Sequence, residues 1–250
     1  LMVSGKLRDK MSLIPYGYFD DSKSIFKYAV IGDLHIGSKF FNSEVLDNFS
    51  EKVSEFEPDF ILDGGDSVDG SASMHKGMWK HQNYIGFFPQ LFAYSDIYPK
   101  FEAKTYRING NHDLSFLKYE KIDVGKEIIK LRKDIIHMGD EMSDFFVNNT
   151  KIRICHPNSG DYRGPSSKKL NSIIDDYDDT TRPDILHISH YHQMLQSQHL
   201  DVWAFLNGTF QDSPAYGNFY ELSDLGSWLI KFEQDESGKV VDLVSRFVCL

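Results

Sequence analysis

Five short polar blocks follow predicted strands along this chain, and they hold most of its residues that could take part in chemistry. They are Gly-Asp-Leu-His at 32–35, Gly-Asp-Ser-Val-Asp at 65–69, Gly-Asn-His-Asp at 110–113, Cys-His at 155–156 and Ser-His-Tyr-His at 189–192. Apart from the cysteine, every potential metal ligand in these blocks offers nitrogen or oxygen. Such ligands are typical of sites that hold divalent metal ions.

The spacing inside two of the blocks suits metal coordination. Asp33 and His35 are two residues apart, so on an extended strand end both side chains point to one face and can reach one ion. His190 and His192 repeat this arrangement. Asp66 ends another predicted strand, and its two carboxylate oxygens could bridge two ions.

The complete ligand set mixes oxygen and nitrogen. It contains three carboxylate or amide groups and four imidazoles, from Asp33, His35, Asp66, Asn111, His156, His190 and His192. That mixture suits Mn²⁺, Fe²⁺ or Zn²⁺ better than Ca²⁺ or Mg²⁺, which prefer shells made of oxygen alone. We therefore expect two adjacent divalent transition metals, with Mn²⁺ as the first choice and Fe²⁺ or Zn²⁺ as alternatives.

Strands must position these blocks, and the hydrophobic pattern predicts them. Residues 26–31 and 60–62 are short apolar runs that stop at glycine or aspartate, as buried strands do. Between them, Val45 and Val53 lie on one face of a helical pattern that Ser43 would cap. A strand, a helix and a strand in this order predict a parallel βαβ unit.

The later segments predict an antiparallel part of the fold. Further strands are predicted at 104–108, 145–148, 151–155, 185–188, 202–206, 228–232 and 240–244, and helices at 122–131 and 170–174. Two neighbouring pairs of these strands have the spacing of hairpins. We expect an α/β protein with a lead-in segment at 1–24, one domain at 25–250 and a helical insertion at about 70–100.

Composition limits the class of protein. The chain has 250 residues, 41% of them hydrophobic, which is enough for one large core. Its formal net charge of −10 argues against broad electrostatic adhesion to nucleic acid or anionic membranes, although two bound dications would make a site locally positive. The two cysteines suggest no disulfide framework. The apolar runs are too short to span a bilayer, so we expect a soluble, cytoplasmic protein without a membrane partner.

The order of the five blocks resembles the calcineurin-like metallophosphoesterase superfamily. The shared pattern is Asp-x-His, Gly-Asp-x-x-Asp, Gly-Asn-His-Asp, a lone His and x-His-x-His, and it extends here from Gly32 to His192. This resemblance implies two mixed β-sheets packed as a sandwich and flanked by helices. It also implies hydrolysis of a phosphate ester by a hydroxide that two metal ions share.

The resemblance also implies roles for single residues. One ion would be held by Asp33, His35, Asp66 and His192, and the other by Asp66, Asn111, His156 and His190. Asp69 would support the ligands from behind. His112 would protonate the leaving oxygen as a general acid, and Asp113 would orient His112.

Details of the blocks distinguish branches of the superfamily. Serine/threonine phosphatases carry Arg after the second block and before Gly-Asn-His, where this chain has Gly70 and Asn109. Gly37 after the first block and Asp113 after His112 are more similar to the motifs of DNA-repair exonucleases and other phosphodiesterases. A looser similarity, from His156 onward, is to the small subunit of archaeal D-family DNA polymerases. Ser189 departs from the family, which usually has Gly there, and we expect little consequence.

The resulting expectation is a phosphodiesterase, most specifically a nuclease acting on DNA or RNA. Two alternatives remain open. The first is a hydrolase of small phosphodiesters or nucleotides, and the second is a non-catalytic binding subunit with the same fold. The sequence does not indicate the oligomeric state.

Two further residues are candidate substrate contacts. Arg163 follows the ligand His156 in a glycine-containing loop, and Arg binds phosphate with two hydrogen bonds. His75 lies in the insertion, which could be a lid over the substrate. The alternative for the many aromatic residues of this insertion is a helix that packs them on the core, and we expect this alternative.

Overall fold

Twelve strands and five α-helices make up the parts of the chain that the computed structural model describes, which are residues 16–158, 167–212 and 223–249. The strands are β1 (Tyr16–Tyr18), β2 (Ile25–Ile31), β3 (Phe60–Asp63), β4 (Thr105–Asn109), β5 (Ile135–Asp140), β6 (Met142–Val147), β7 (Thr150–Cys155), β8 (Ile185–Ile188), β9 (Leu195–His199), β10 (Val202–Leu206), β11 (Ser227–Gln234) and β12 (Val240–Val248). The helices are α1 (Ser43–Phe56), α2 (Phe87–Ile97), α3 (Asn111–Glu120), α4 (Val124–Leu131) and α5 (Ser167–Asp175).

The first sheet has the order β12-β11-β2-β3-β4-β5. Its strands β2, β3, β4 and β5 are parallel, whereas β11 pairs antiparallel with both β2 and β12. The predicted βαβ unit is confirmed as β2, α1 and β3. The predicted terminal hairpin is also confirmed, as β11 and β12.

The second sheet has the order β1-β6-β7-β8-β10-β9. Here β7, β8 and β10 are parallel, and β6 and β7 form the predicted hairpin. The edge strand β1 pairs in parallel with β6. Because β1 comprises Tyr16–Tyr18, part of the predicted lead-in segment takes part in this sheet.

Four layers result from the packing of the two sheets. Phe26, Tyr28 and Val30 alternate along β2 with Ala29 and Ile31, so successive side chains enter different cores. The first group packs against the second sheet, and the other group packs under helices α1 to α4. Helix α5 covers the outer face of the second sheet. The expected sandwich of two mixed sheets flanked by helices is confirmed.

Helix α1 is capped by a different residue from the one predicted. The side chain of Asn42, not that of Ser43, accepts the backbone N–H of Val45 at 3.2 Å. Asn42 has extended backbone angles while Ser43 is already helical, and an N-cap residue needs the non-helical conformation.

The insertion contains a 3-10 helix, Met78–His81, followed by α2. Phe87 and Tyr94 are buried, as expected for aromatic residues packed on the core. The same expectation is wrong for Trp79, Phe88 and Phe92, which are more than half exposed. None of the helices in the described ranges is long and apolar enough to cross a membrane.

Candidate metal centre

The five polar blocks converge at the carboxyl ends of parallel strands. In the first sheet they follow β2, β3 and β4, and in the second sheet they follow β7 and β8. Hydrogen bonds between strand ends hold the blocks in register. Asp33 N–H donates to Gly65 O at 2.8 Å, and His35 N–H donates to Asp66 O at 2.9 Å. The sheets thus supply a common edge, which is where α/β proteins usually place their sites.

Asp33, His35 and His192 form the first cluster of potential ligands. Their ligand atoms all lie within 4.8 Å of one another. His192 Nε2 is 3.4 Å from Asp33 Oδ1 and 3.2 Å from His35 Nε2. His35 and Asp33 are buried and His192 is half-buried, so the three groups surround a point that is largely shielded from solvent.

Asp66, His156 and His190 form the second cluster, and Asn111 joins it. Asp66 Oδ2 lies 3.1 Å from His156 Nε2. Asn111 Oδ1 lies 3.0 Å from His156 Nε2 and 2.9 Å from His190 Nδ1. The same Asp66 Oδ2 is 3.8 Å from His35 Nε2 of the first cluster. One carboxylate therefore stands between the two clusters.

These distances fit coordination of metal ions. Two atoms that each lie about 2.1 Å from one ion are about 3.0–3.4 Å apart in octahedral or tetrahedral geometry. The Nδ1–H of His156 donates to Gly64 O at 2.7 Å, so Nε2 is the ring nitrogen that faces Asp66 and Asn111 and could bind an ion. The structure thus brings all seven predicted ligands together, in the two groups that the family resemblance implies.

The backbone of most of the predicted ligands is held in an unusual conformation. Positive φ angles occur at Asp33 (51°), His35 (50°), Asp66 (52°), His190 (84°) and His192 (54°). Residues other than glycine rarely adopt this left-handed region, and such residues concentrate at functional sites, where surrounding contacts hold them. Five of the seven predicted ligands thus share a strain that ordinary strand ends do not need.

The electrostatics of the second cluster favour a cation. Burial alone lowers the pKa of the His156 imidazole, but the Asp66 carboxylate and then Asp33 raise it to about 10. Burial and the neighbouring His156 lower the pKa of His190 to about 4. The carboxylates therefore stabilise a positive charge at His156 Nε2, and they would stabilise a divalent ion in that position in the same way.

His112 stands beside the clusters and is fixed by the second block. Its Nδ1–H donates to the backbone carbonyl of Asp69 at 2.6 Å, and its ring centre is 4.4 Å from that of His35. Its backbone N–H, at the start of α3, donates to Asp66 Oδ1 at 2.8 Å. A carbonyl oxygen can only accept, so the proton is on Nδ1 and Nε2 is the atom available for chemistry.

Asp113 does not orient His112, and that expectation is wrong. The Asp113 carboxylate accepts the backbone N–H groups of Gly110 at 3.1 Å and of Val68 at 3.2 Å. It also receives Arg107 Nη2 at 2.8 Å. Asp113 is the third residue of α3 and faces back to the residue before the helix, as acidic residues in capping boxes do. It joins the second and third blocks, while Asp69 holds His112.

Arg107 is a residue that the sequence reasoning missed. It is fully buried on β4 between Asp113 and Asp63, whose nearest oxygen is 3.7 Å from Arg107 Nε. Burial raises the pKa of Asp63 to about 7, although Arg107 opposes the rise. The signal was a charged residue inside a short strand, two positions from Asn109 and therefore on the same face.

Two glycines allow the blocks to approach one another. A Cβ on Gly64 would collide with the Ser189 side chain, and a Cβ on Gly110 would collide with Asp66. Ser189 Oγ also accepts Asn207 Nδ2 at 3.0 Å. The serine that replaces the family glycine is thus accommodated by Gly64 across the site.

Of the three remaining candidate residues, Asp69 and His75 lie in the described part of the chain. Asp69 is buried, and its Oδ1 lies 3.9 Å from Nδ1 of the predicted ligand His35. His75 is exposed, and partial burial and then the neighbouring His112 lower its pKa, so it lies at the rim of the site. Arg163 lies outside the described residues.

The fold is similar to those of several solved structures. An archaeal phosphodiesterase is 14% identical, with a TM-score of 0.47, over 89% of this chain and 99% of that one. Vps29 of Chaetomium thermophilum is 11% identical, with a TM-score of 0.48, over 89% and 97%. Yfce, a phosphoesterase from E. coli, is 14% identical, with a TM-score of 0.44, over 87% and 98%. No curated protein matches the sequence.

A comparison with protein families gives a more specific result. The model of the calcineurin-like phosphoesterases matches residues 26–207. This span is well over half of the 250 residues and includes all five polar blocks. The chain belongs to the calcineurin-like phosphoesterase family.

Proposed function

We propose that this protein is a phosphodiesterase that uses two divalent metal ions, and that its substrate is DNA or RNA. The observation that carries the proposal is the position of Asp66 Oδ2, which is 3.1 Å from His156 Nε2 and 3.8 Å from His35 Nε2. A carboxylate between two ligand clusters supports a pair of ions. Mn²⁺ is our first choice of metal, with Fe²⁺ or Zn²⁺ as alternatives.

The ligands would be divided between the two ions. Asp33, His35 and His192 would hold one ion, Asn111, His156 and His190 would hold the other, and Asp66 would contact both. When bound, such a pair of ions activates water as a nucleophile and neutralises charge on the phosphate oxygens. The protein supplies a buried site in which strand ends preset the ligand positions, so little reorganisation is needed on binding.

His112 would deliver the proton to the leaving oxygen. Its Nδ1 is engaged by Asp69 O, so Nε2 is the atom that would carry the proton to the substrate. Asp66 Oδ1 accepts the backbone N–H of His112. The acid and the shared ligand are therefore linked by one hydrogen bond, which would keep their spacing constant during turnover.

The surroundings of the site support a diester rather than a phosphorylated protein as substrate. Asn109 is buried and donates to Asp123 and Asp140 at 3.2 and 2.8 Å. Gly70 has a φ of 94°, and a Cβ there would press on Ser115. Neither position could present the arginine with which the protein phosphatases of the family grip a phosphate monoester.

One panel of substrates tests the proposal. Protein loaded with Mn²⁺ would be assayed on a phosphomonoester, a simple diester, a cyclic nucleotide, single-stranded DNA and double-stranded DNA. We expect hydrolysis of the simple diester and of DNA. Activity on the monoester alone would contradict a diesterase, and diester hydrolysis without DNA cleavage would contradict a nuclease.

The metal content of the same samples tests the two ions directly. We expect two metal ions per wild-type chain, and we expect Asp66→Ala to lose most of both because it removes the shared ligand. Asp242→Ala is the matched control, since Asp242 is exposed on β12. A chain with neither bound metal nor phosphoesterase activity would favour a non-catalytic binding subunit.

A further inference from the structure

Two segments beside the candidate metal centre carry lysines but no acidic residues, although the chain is acidic overall. The sequence has 37 Asp and Glu residues and a net charge of −10, yet residues 70–95 contain none of them. Residues 34–43 also contain none. These two segments pack against each other, and together they contribute Lys39, Lys76 and Lys80 and no carboxylate.

Hydrogen bonds place these two segments beside the predicted metal ligands. Ser38 N–H donates to the backbone carbonyl of the ligand His35 at 2.9 Å. The next residue, Lys39, donates its N–H to His81 O at 2.8 Å and its Nζ to Lys80 O at 2.8 Å. The 3-10 helix Met78–His81 therefore lies against the loop that leaves the metal centre.

Aromatic rings alternate with the lysines in these two segments. Trp79 is 54% exposed, and Lys80 Nζ lies 5.7 Å from the centre of its ring. Phe40 and His81 are stacked, with ring centres 5.9 Å apart and planes inclined by 28°. We call this set, with the exposed Lys39 and Lys76 and with His75, the basic aromatic rim.

We propose that the basic aromatic rim binds single-stranded nucleic acid and leads it to the metal centre. This inference rests on the proposed phosphodiesterase function. Cationic side chains that track the phosphates, together with aromatic rings on which bases stack, are the usual means of binding a single strand without sequence preference. The positive lysines complement the negative phosphates of the nucleic acid, and the exposed Trp79 ring is available to stack on a base.

The rim also explains how a protein with a negative net charge could bind a polyanionic substrate. A uniformly acidic surface would repel nucleic acid, whereas a local basic surface beside the site would attract it. A membrane surface is the other partner that lysines and tryptophan can fit. The 3-10 helix is short and lies beside buried predicted ligands. This position favours a single strand of nucleic acid, which can continue into the site, over a membrane surface.

Binding can be measured apart from hydrolysis. A fluorescent phosphorothioate dodecathymidylate, which resists cleavage, would be titrated with Mn²⁺-loaded protein and followed by anisotropy. We expect Trp79→Ala to weaken binding by about 10-fold, because stacking on one aromatic ring is typically worth that much. Substituting Lys76→Gln and Lys80→Gln together should reduce the salt dependence, log Kd against log salt, by about 1.4, since each phosphate contact contributes about 0.7.

Phe19→Ala and Lys239→Gln are the matched controls, and we expect them to bind like the wild type. Phe19 is 60% exposed and follows β1, beside the turn between β6 and β7. Lys239 follows Gly238, whose carbonyl accepts Thr150 Oγ1 at the start of β7. His156 follows the other end of β7, so both controls lie at the end of the sheet opposite the metal centre.

The outcomes separate this proposal from the proposed function. Equal binding by Trp79→Ala and wild type would overturn the rim as a nucleic-acid surface, whatever the enzyme hydrolyses. Binding to phosphatidylserine vesicles in place of the oligonucleotide would also overturn it. Weaker binding by the rim variants alone would support it, even if wild-type protein failed to hydrolyse a small diester and so contradicted the phosphodiesterase.

Discussion

At the scale of single residues, hydrogen bonds and neighbouring groups suit two chemically identical imidazoles, those of His156 and His112, to different roles. His156 and His112 each donate Nδ1–H to a backbone carbonyl, of Gly64 and Asp69 respectively. His156 Nε2 then faces Asp66 and Asn111, whereas the His112 ring packs against His35. The first arrangement suits a metal ligand, and the second suits a proton donor beside the metal centre.

We predict that His112→Ala lowers turnover of a diester by about 10²–10⁴-fold, the usual contribution of a general acid. We expect two bound metal ions to remain, because the seven proposed ligands do not include His112. Steady-state kinetics and metal analysis on the same sample measure the two effects. Unchanged turnover would remove His112 from the mechanism, and loss of metal would make it a ligand.

At the scale of elements, the ends of strands from both sheets approach so closely that small residues are required. Gly64 follows β3 and meets Ser189, which follows β8. The contact brings the block with Asp66 next to the block with His190 and His192. The distance between the two sheets at this point therefore depends on the combined size of residues 64 and 189.

We predict that Gly64→Ala destabilises the protein by about 1–3 kcal/mol, the usual cost of an added methyl group in a packed site. Ser189→Gly should cost about 0.5–1.5 kcal/mol through the lost hydrogen bond from Asn207. The double variant should be more stable than the sum of the two costs implies, because the glycine makes room for the methyl group. Urea unfolding measures this coupling, and strictly additive costs would show that the contact does not limit the approach.

At the scale of the whole molecule, the two sheets are joined by a buried polar network as well as by apolar packing. His187 on β8 lies 2.9 Å from the hydroxyl of Tyr28 on β2 and 3.2 Å from Asn207 Oδ1. Asn207 in turn donates to Ser189. His187 itself is completely buried. The network ties the middle of the sandwich to the block that carries His190.

We predict that His187 makes the fold sensitive to acid. Burial lowers its pKa to about 3, so between about pH 6.5 and pH 3 the unfolded chain binds a proton that the folded chain excludes. The free energy of unfolding should fall over that range by about 1.4 kcal/mol per pH unit from this group. His187→Gln should show a shallower dependence between pH 6 and 4, measured by urea unfolding. Identical slopes in both proteins would contradict a neutral buried His187.

The sequence by itself determined which side chains are candidate metal ligands and which elements carry most of them. Asp33, His35, Asp66 and Asn111 follow apolar runs whose local pattern is that of buried strands, so both ligand chemistry and strand ends could be predicted. Some elements were missed. Helix α3 begins inside the third block, and β9 alternates between exposed and half-buried residues, so neither shows a continuous apolar pattern.

Only the tertiary structure decided how these residues share their partners. Asp113 binds Arg107 rather than His112, and Asp69 takes the place expected for Asp113. Asp33 receives the backbone N–H of His190, which is 157 positions away. Such pairings depend on the register within each sheet and on the distance between the two sheets. Those quantities come from packing between remote segments, which local spacing along the chain does not encode.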